Sequence, residues 1–330
     1  MREPRRIRIG VDTGGTFTDV VALDEDTGRL VTAKTPSTPA DPAEGFMTAV
    51  HRALELLDAG GGDVAALAHG TTVATNHLLE DRVGDLGFVT TEGFEFLLEI
   101  ARQSVPDGYG NSYFWVKPPR IVPVHRVRTV GGRLDHTGAE LRPFDEAGAV
   151  AAARWFREQG VTAIGVCFLH SYADPRHELA MREVLRREHP EAVVSLSCEV
   201  LREYREYERS VTTLVDAAVK PAMTRYLTGI ARRLEPLGAP PFHVMKSNGG
   251  VLSAAEVVHQ PITTVLSGPA AGALGAALVA GTAGHRSVVT LDGGGTSTDV
   301  AVVLAGEPAL TTEGSVGRYP CKIPMVDVVT

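Results

Sequence analysis

The chain has 330 residues, with 32 Lys and Arg against 40 Asp and Glu, so its formal net charge is −8. Hydrophobic residues make up 44% and charged residues 22%, proportions typical of a soluble globular protein that buries its core without disulfides or metals. The acidic balance argues against a nucleic-acid or anionic-membrane partner, because both require a dense basic surface. The length favours two domains.

The cysteines and the apolar segments indicate a cytoplasmic protein. Cys167, Cys198 and Cys321 lie far apart without a CxxC pair, which is typical of free thiols in a reducing compartment. Residues 260–284 carry no charge, but prolines, glycines and alanines interrupt the run. This composition predicts a tightly packed interior helix rather than a membrane span.

The predicted elements indicate an α/β fold. Apolar periodicity and turn residues predict, in chain order, strands at Ile7–Asp12, Phe17–Leu23 and Leu30–Lys34, a helix from Asp41, a strand at Ala65–His69, a helix at Val73–Glu80 and a strand at Leu86–Thr90. This opening has the order βββαβαβ. Further α/β elements follow, among them a long helix predicted over Leu201–Leu234.

A repeated motif is the most informative feature of the sequence. Residues 11–23 match residues 291–303 at seven of thirteen positions: Asp, Gly, Gly, Thr, Thr, Asp and Val. Both copies follow a β-rich run and lead into another. Each copy therefore predicts a β-hairpin whose tip is rich in glycine, hydroxyl groups and acidic residues.

Phosphate binding explains such a tip. Glycines let backbone N–H groups approach phosphate oxygens, threonine hydroxyls add donors, and an aspartate can hold Mg²⁺ through water. The alternative is that each motif is only a hairpin turn, since Gly-Gly and Asp are common in turns. Two copies 280 residues apart favour the phosphate interpretation.

The paired motifs resemble the phosphate hairpins of the actin/sugar-kinase/Hsp70 ATPase superfamily. More narrowly, the chain resembles the hydantoinase A/5-oxoprolinase family, which includes ketone carboxylase β subunits. The segments that carry the resemblance are Ile9–Val21, His69–Glu80, Gly87–Gln103, Gly165–Glu178, Glu203–Ser210, Ser247–Gly250, Ser267–Gly272 and Leu291–Val303. The resemblance implies RNase-H-like lobes, with a hydantoinase A/oxoprolinase N-terminal region at 1–190 and the start of the core domain at 200–330.

The resemblance also implies an enzyme that uses ATP and Mg²⁺ to phosphorylate a lactam or hydantoin carbonyl for ring opening. On this interpretation Asp12 and Asp292 are catalytic acids that orient Mg²⁺ through water, and either could serve as a base. The phosphate-binding residues would be Thr13, Gly14, Gly15, Thr16, Gly293, Gly294, Gly295 and Thr296. Asp19 and Asp299 would be structural. The expected partners are a small cyclic amide and a hydantoinase B-like subunit or domain.

Other activities within the resemblance stay open. An ATP-dependent ketone carboxylase β subunit shares the phosphorylation of a carbonyl oxygen. A small-molecule kinase of the same superfamily would instead leave a stable phosphate ester, and a chaperone-like or filament-forming ATPase would have no small-molecule product.

Weaker candidates for substrate-binding residues lie at two turns. Thr71, Thr72 and Asn76 lie where a strand ends and a helix begins, a position where ligands collect in α/β sheets. The same residues would equally serve as a helix N-cap. Asn248 belongs to an Asn-Gly-Gly turn first and to a substrate site second.

The second hairpin begins only at about Ser287, whereas family members continue well beyond residue 330. We therefore expect an N-terminal fragment with an incomplete second lobe. The hairpin should lack a helix over its apolar face, so that its strands are exposed. Alone, the chain should bind ATP weakly and open no ring.

Overall fold

A computed structural model describes residues 4–80, 83, 85–102, 120–293 and 298–329. Two compact units are formed by discontinuous pieces of chain. The first unit comprises the residues up to Asn76, Ala222–Thr312 and the residues from Pro324 onward. The second unit comprises His77–Pro221 and Glu313–Ile323. Each unit draws on both sides of the predicted domain boundary at residues 190–200, which stays a prediction.

The helices follow the apolar periodicity of the sequence. They are α1 Pro42–Leu56, α2 Val73–Leu79, α3 Leu97–Ile100, α4 Glu146–Glu158, α5 Arg176–Glu188, α6 Ser197–Val200, α7 Glu206–Leu234, α8 Ala254–Val257 and α9 Ser267–Thr282. The long helix α7 begins five residues later than predicted. Arg205 stands immediately before it with a φ of 74°, a left-handed conformation that the helix cannot include.

The strands are β1 Ile7–Thr13, β2 Phe17–Asp24, β3 Leu30–Pro36, β4 Val64–Thr71, β5 Leu86–Thr91, β6 Val127–Val130, β7 Arg133–Leu134, β8 Glu140–Arg142, β9 Ala163–Cys167, β10 Val193–Leu196, β11 Phe242–Met245, β12 Val251–Ser253, β13 Val288–Gly293, β14 Thr298–Leu304, β15 Glu307–Pro308, β16 Leu310–Thr311, β17 Gly314–Val316, β18 Tyr319–Cys321, β19 Met325–Val326 and β20 Val328–Val329.

A mixed sheet dominates the first unit, with the strand order β12-β11-β4-β1-β2-β3. Strands β1, β2 and β3 pair antiparallel, whereas β4 and β11 continue parallel to β1. Ile7, Ile9 and Val11 alternate toward the buried face, which α1 covers. Asp12 therefore lies on the opposite, outer face.

The predicted order βββαβαβ is confirmed, but its last strand belongs to another sheet. β5 pairs with β6 and β9 in the second unit, and β11 takes the place beside β4 in the first. All six residues of β5 are buried, as expected for a parallel strand covered on both faces. A Cβ on Gly87 in this strand would approach the Phe156 ring to 2.5 Å, so the glycine permits close packing of α4.

The second unit is built on the parallel sheet β10-β9-β5-β6. Its core contains Phe156 from α4 and Met181 and Leu185 from α5, all fully buried against the strands. A carboxylate on α5, Glu178, is buried beside this core and accepts hydrogen bonds from residues that follow β9 and β10.

The second hairpin differs from the expectation that no helix covers it. Ala270 and Ala273 of α9 pack against Ala301 of β14 and Val326 of β19 in a buried cluster. The small side chains of α9 let the helix approach this face closely. The other face remains open, where Val289 and Leu291 are 69% and 76% exposed. The predicted exposure thus applies to one face of the hairpin.

Candidate active site

The sequence repeat is also a structural repeat. In the first hairpin Asp12 pairs with Asp19 and Thr13 with Thr18. In the second, Asp292 pairs with Asp299 and Gly293 with Thr298. Both hairpins belong to the first unit. The tip residues Gly294, Gly295 and Thr296 lie outside the described residues, so their predicted phosphate role stays a prediction.

Helix α9 lies beside both aspartates. An added Cβ on Gly268 would lie 3.9 Å from Asp12 Oδ1, and one on Gly272 would lie 3.8 Å from Asp292 Oδ2. Residues four apart share a face of a helix and are separated by about 6 Å along its axis. The two carboxylates therefore lie against successive turns of one helix face, on two hairpins that are distant in sequence.

The pKa of Asp12 is affected by the charged groups that lie near it. Burial raises the pKa of the Asp12 carboxyl, the charges of Asp19 and Asp292 raise it further, and Lys34 lowers it. Among the described residues, no group of three or more His, Cys, Asp or Glu side chains could hold a metal. Two carboxylates with excess negative charge fit Mg²⁺, which typically takes one or two carboxylates together with waters and substrate phosphates.

The first hairpin tip presents its backbone to solvent. Gly14 closes the turn by donating to the Phe17 carbonyl at 3.0 Å, and Ser37 Oγ donates to the Gly14 carbonyl at 2.8 Å. A Cβ on Gly15 or on Gly293 would meet no atom within 4 Å, and neither glycine has a positive φ. Since packing within the described chain does not require these glycines, their bare backbone fits the close approach of a ligand.

The residues that were weaker candidates for the substrate site form hydrogen bonds with other groups of the chain. Thr72 Oγ1 donates to the Thr13 carbonyl at 3.1 Å and accepts from Asn76 Nδ2 at 3.3 Å. Thr71 Oγ1 accepts from the Val73 N–H at 3.2 Å, as a residue at a helix start does. Asn248 Oδ1 accepts from the Gly250 N–H in its turn. Their assignment to substrate stays a prediction.

Two family models match the sequence. Residues 8–189 match the hydantoinase/oxoprolinase N-terminal region, and residues 209–330 match hydantoinase/oxoprolinase. The chain belongs to the hydantoinase/oxoprolinase family. This result confirms the resemblance drawn from the repeated motif and its flanking segments.

Relatives and solved structures agree with the family. The chain is 34% identical to the caprolactamase subunit alpha of Pseudomonas jessenii, over 99% of this chain and 47% of that protein. It is 33% identical to the acetophenone carboxylase gamma subunit of Aromatoleum aromaticum, over 97% of this chain and 44% of the relative. The chain spans about half the length of these relatives.

The fold matches those of two ATP-dependent enzymes. The crystal structure of the Pseudomonas jessenii caprolactamase superimposes with a TM-score of 0.86 at 34% identity, covering 98% of this chain and 47% of that one. A nucleotide-free acetone carboxylase superimposes with a TM-score of 0.88 at 26% identity, covering 98% and 48%. These matches confirm the α/β fold class. No helix within the described ranges combines the length and apolar character needed to cross a membrane.

Two features of this family member's site lacked a clear sequence signal. Lys34 Nζ lies 2.9 and 3.0 Å from the two carboxylate oxygens of Asp19, on the neighbouring strand. A Cβ on Gly70 would lie 2.7 Å from Asp12 Oδ1, so a side chain there would displace the carboxylate. Only the strand register, in which Asp12 pairs with both Gly70 and Asp19, brings these residues together.

A buried histidine supports the strand that carries Asp12. The Val11 carbonyl can only accept, so His69 Nδ1 donates to it at 3.1 Å, while Nε2 accepts from the Tyr226 hydroxyl at 2.8 Å. Phe46 packs edge-on against the imidazole. Complete burial lowers the pKa of His69 to about 4. The neutral imidazole therefore joins β1, β4 and α7 beneath the site.

This histidine predicts a loss of stability in acid. Because its folded pKa is about 4 against an ordinary 6.5, its contribution is complete above pH 6.5 and is lost as the pH falls toward 4. Between pH 8 and pH 5 the loss should be about 2 kcal/mol, to be measured by urea unfolding. The His69→Gln variant should show a correspondingly shallower pH dependence. An unchanged slope in the variant would contradict the assignment.

Proposed function

We propose that this chain carries the phosphorylation site of an ATP-dependent cyclic-amide hydrolase. The observation that carries the proposal is the pair of glycine-rich hairpins whose aspartates, Asp12 and Asp292, lie against successive turns of α9. The similarity to the caprolactamase subunit alpha supports an amide as the substrate.

The chemistry explains the need for ATP. Resonance protects the carbonyl carbon of a lactam from attack by water. Transfer of the γ-phosphoryl group forms a bond between phosphorus and the lactam oxygen and releases ADP. Water then adds to the activated carbon, and the C–N bond breaks as the nitrogen leaves with a proton, which opens the ring and gives an acyl phosphate. A second water hydrolyses the acyl phosphate to the carboxylate and releases inorganic phosphate. The protein supplies positioning and electrostatic stabilisation of the transferred group.

The residues have distinct proposed roles. The backbone N–H groups of Gly15 and Gly293 bind phosphate oxygens, with the Thr16 hydroxyl as a further donor, while Gly14 closes the turn of the first tip. Asp12 and Asp292 would hold Mg²⁺ through water, and the ion would supply positive charge beside the phosphate oxygens. Thr13 is buried and shapes the end of β1.

A second subunit completes the proposed enzyme. The relatives named above are subunits of caprolactamase and acetophenone carboxylase, which supports a hydantoinase B-like partner for this chain. Use of ATP and the three free cysteines Cys167, Cys198 and Cys321 support a cytoplasmic location.

A ketone carboxylase subunit is the second candidate. The structural match to acetone carboxylase, with a TM-score of 0.88, favours it. Phosphorylation of a ketone, as its enolate, uses the same phosphate site. The later steps differ, because carboxylation forms a new C–C bond, whereas hydrolysis breaks a C–N bond.

Product analysis tests the proposal. The chain, assembled with its partner subunit, is incubated with Mg-ATP and either a lactam or a ketone with bicarbonate. Lactam-stimulated phosphate release together with a ring-opened amino acid supports the hydrolase. A carboxylated ketone would identify the second candidate, and an accumulating phosphate ester would identify a kinase.

Gly70 offers a prediction that follows from this site. The Gly70→Ala substitution places a methyl group against Asp12 Oδ1 and shifts the carboxylate. The ATP-dependent rate of the assembled enzyme should fall by about a hundredfold, since small misplacements of catalytic groups have effects of that size. The control is Gly62→Ala, where an added Cβ meets no atom within 4 Å. A Gly70→Ala rate within threefold of the wild type would refute this role of the glycine.

A further inference from the structure

A cavity of about 660 Å³ lies on the outer face of the first unit's sheet, directly beside Asp12. Its size is within the range of small-molecule sites. Asp12, Asp19 and Lys34 line one end of the cavity, and the remaining wall is mostly apolar. The cavity therefore combines a charged end at the proposed phosphate site with an apolar body.

Small residues in register create the apolar body. Gly10 pairs with Ala68 on one side and with Val21 on the other. Met245 of β11 and Ala271 of α9 contribute further wall. A Cβ on Gly10 would approach Val21 Cγ1 to 3.2 Å, so the missing side chain leaves room at the centre of the sheet.

The charges of the cavity disfavour an anion. Among the described residues that line it, Lys34 is the only cation, and its ammonium group is already paired with both oxygens of Asp19. Arg8, farther along the same face, is paired with Glu25 at 2.6 Å. Asp12 and the nearby Asp292 add negative charge with no further lining cation to balance it. A second anion would enter against this charge.

We propose that this cavity binds the ring of an uncharged lactam, with the carbonyl at the Asp12 end and the methylene groups on the apolar wall. The inference rests on the proposed function and deepens it by naming the substrate class. Lactams that carry a free carboxylate, such as 5-oxoproline, are disfavoured by the acidic end.

A matched pair of rings tests the charge preference. 2-Pyrrolidinone and 5-oxoproline share a five-membered lactam and differ by one carboxylate. Isothermal titration and NMR shift mapping on the 330-residue chain should give an affinity at least tenfold higher for 2-pyrrolidinone. Equal affinities, or tighter binding of 5-oxoproline, would overturn the proposal.

Two alanines on one strand test the location. Ala68→Leu fills the cavity and should weaken 2-pyrrolidinone binding at least tenfold. Ala66→Leu, two residues earlier on the same face and outside the cavity lining, is the control and should bind within twofold of the wild type. If Ala68→Leu binds the ring as tightly as the wild type does, the ring binds elsewhere and the proposal fails.

Removing the carboxylate that pairs with Lys34 tests the charge argument, because it should increase the affinity for an anionic lactam. Asp19→Asn leaves the ammonium group without its partner carboxylate and should raise the affinity for 5-oxoproline about tenfold. The double variant Asp19→Asn/Lys34→Met carries neither charge and should show no such gain. An equal gain in both would show that Lys34 is not the group that accepts the carboxylate.

Phosphate release in the assembled enzyme separates the two proposals. Ring binding that Ala68→Leu abolishes, without lactam-stimulated phosphate release, would refute the proposed function and leave the binding site standing. Lactam-dependent turnover that Ala68→Leu leaves unchanged would support the function and overturn the site.

Discussion

The Asp12→Asn variant should lose ATP-dependent turnover by about a thousandfold or more, because phosphoryl transfer depends on charge at the metal and phosphate site. Asparagine keeps the shape of aspartate, and Asp12 lies outside the hydrophobic core, so the fold should persist. Lactam-dependent phosphate release by the assembled enzyme measures the rate. Mg-ATP titration of the chain should show a parallel loss of affinity.

The same substitution should slightly stabilise the protein. Burial, Asp19 and Asp292 raise the folded pKa of Asp12, so its favourable contribution is complete below the unfolded value of 3.8 and is lost as the pH rises through the folded pKa. At neutral pH the ionised carboxylate therefore opposes folding. Removing its charge should raise Tm by about 1 °C, as calorimetry would detect.

Asp58→Asn is the matched control for this variant. Asp58 is exposed in a turn, with a φ of 50° that asparagine tolerates, and lies 3.9 Å from Arg29. The turnover of the Asp58→Asn enzyme should equal that of the wild type. An Asp12→Asn enzyme that retained more than a tenth of the wild-type rate would exclude Asp12 from the phosphate site.

Glu178→Ala should produce the largest loss of stability. The Glu178 carboxylate is fully buried and accepts from the N–H groups of Phe168 and Cys198 at 2.9 and 2.8 Å. The hydroxyls of Ser171 and Ser197 donate to it at 2.7 and 2.6 Å. Its removal leaves two backbone N–H groups without their acceptor and leaves the two hydroxyls with only each other and the Phe168 carbonyl, which should cost about 4 kcal/mol.

Urea unfolding followed by circular dichroism measures this cost. Glu183→Ala on the same helix is the control, because Glu183 is exposed and pairs with Arg186, three residues along. The control should lose about 0.5 kcal/mol or less. If Glu178→Ala is too unstable to purify, Glu178→Gln, which keeps one acceptor oxygen, should show an intermediate loss. A loss below 1 kcal/mol for the alanine variant would contradict the role of Glu178.

The local sequence was sufficient to predict the hairpins and the order of the first seven elements. The prediction of an interior helix holds only for one face of α9, since Leu278 and Val279 are exposed. Turn residues such as Gly14 and Gly15, and the alternation of Ile7, Ile9 and Val11, act within a few residues of the structure that they determine. The repeat at 11–23 and 291–303 was visible for the same reason, and the family followed from it.

Sheet membership required the tertiary structure. β5 and β11 are both short apolar runs, and nothing local indicates which of them pairs with β4. The deciding contacts are long-range: β5 joins β9, more than 70 residues away, and β11 joins β4, which precedes it by about 175 residues. The cover that α9 gives to the second hairpin was missed for the same reason, since a helix pattern does not identify what the helix packs against.

The residues of the candidate site show the same difference between local sequence and tertiary structure. Asp12, Asp292 and the glycines of the first tip were predicted from the motif, because phosphate chemistry constrains residue types at fixed spacing, and their role stays a prediction. Gly70 beside Asp12, Lys34 on Asp19 and Tyr226 on His69 depended on strand register and on helix packing between residues 15 to 157 positions apart. A sequence pattern records the residue types along one element, whereas these contacts arise only when separate elements pack together, and that packing also determines the charge and the volume of the cavity.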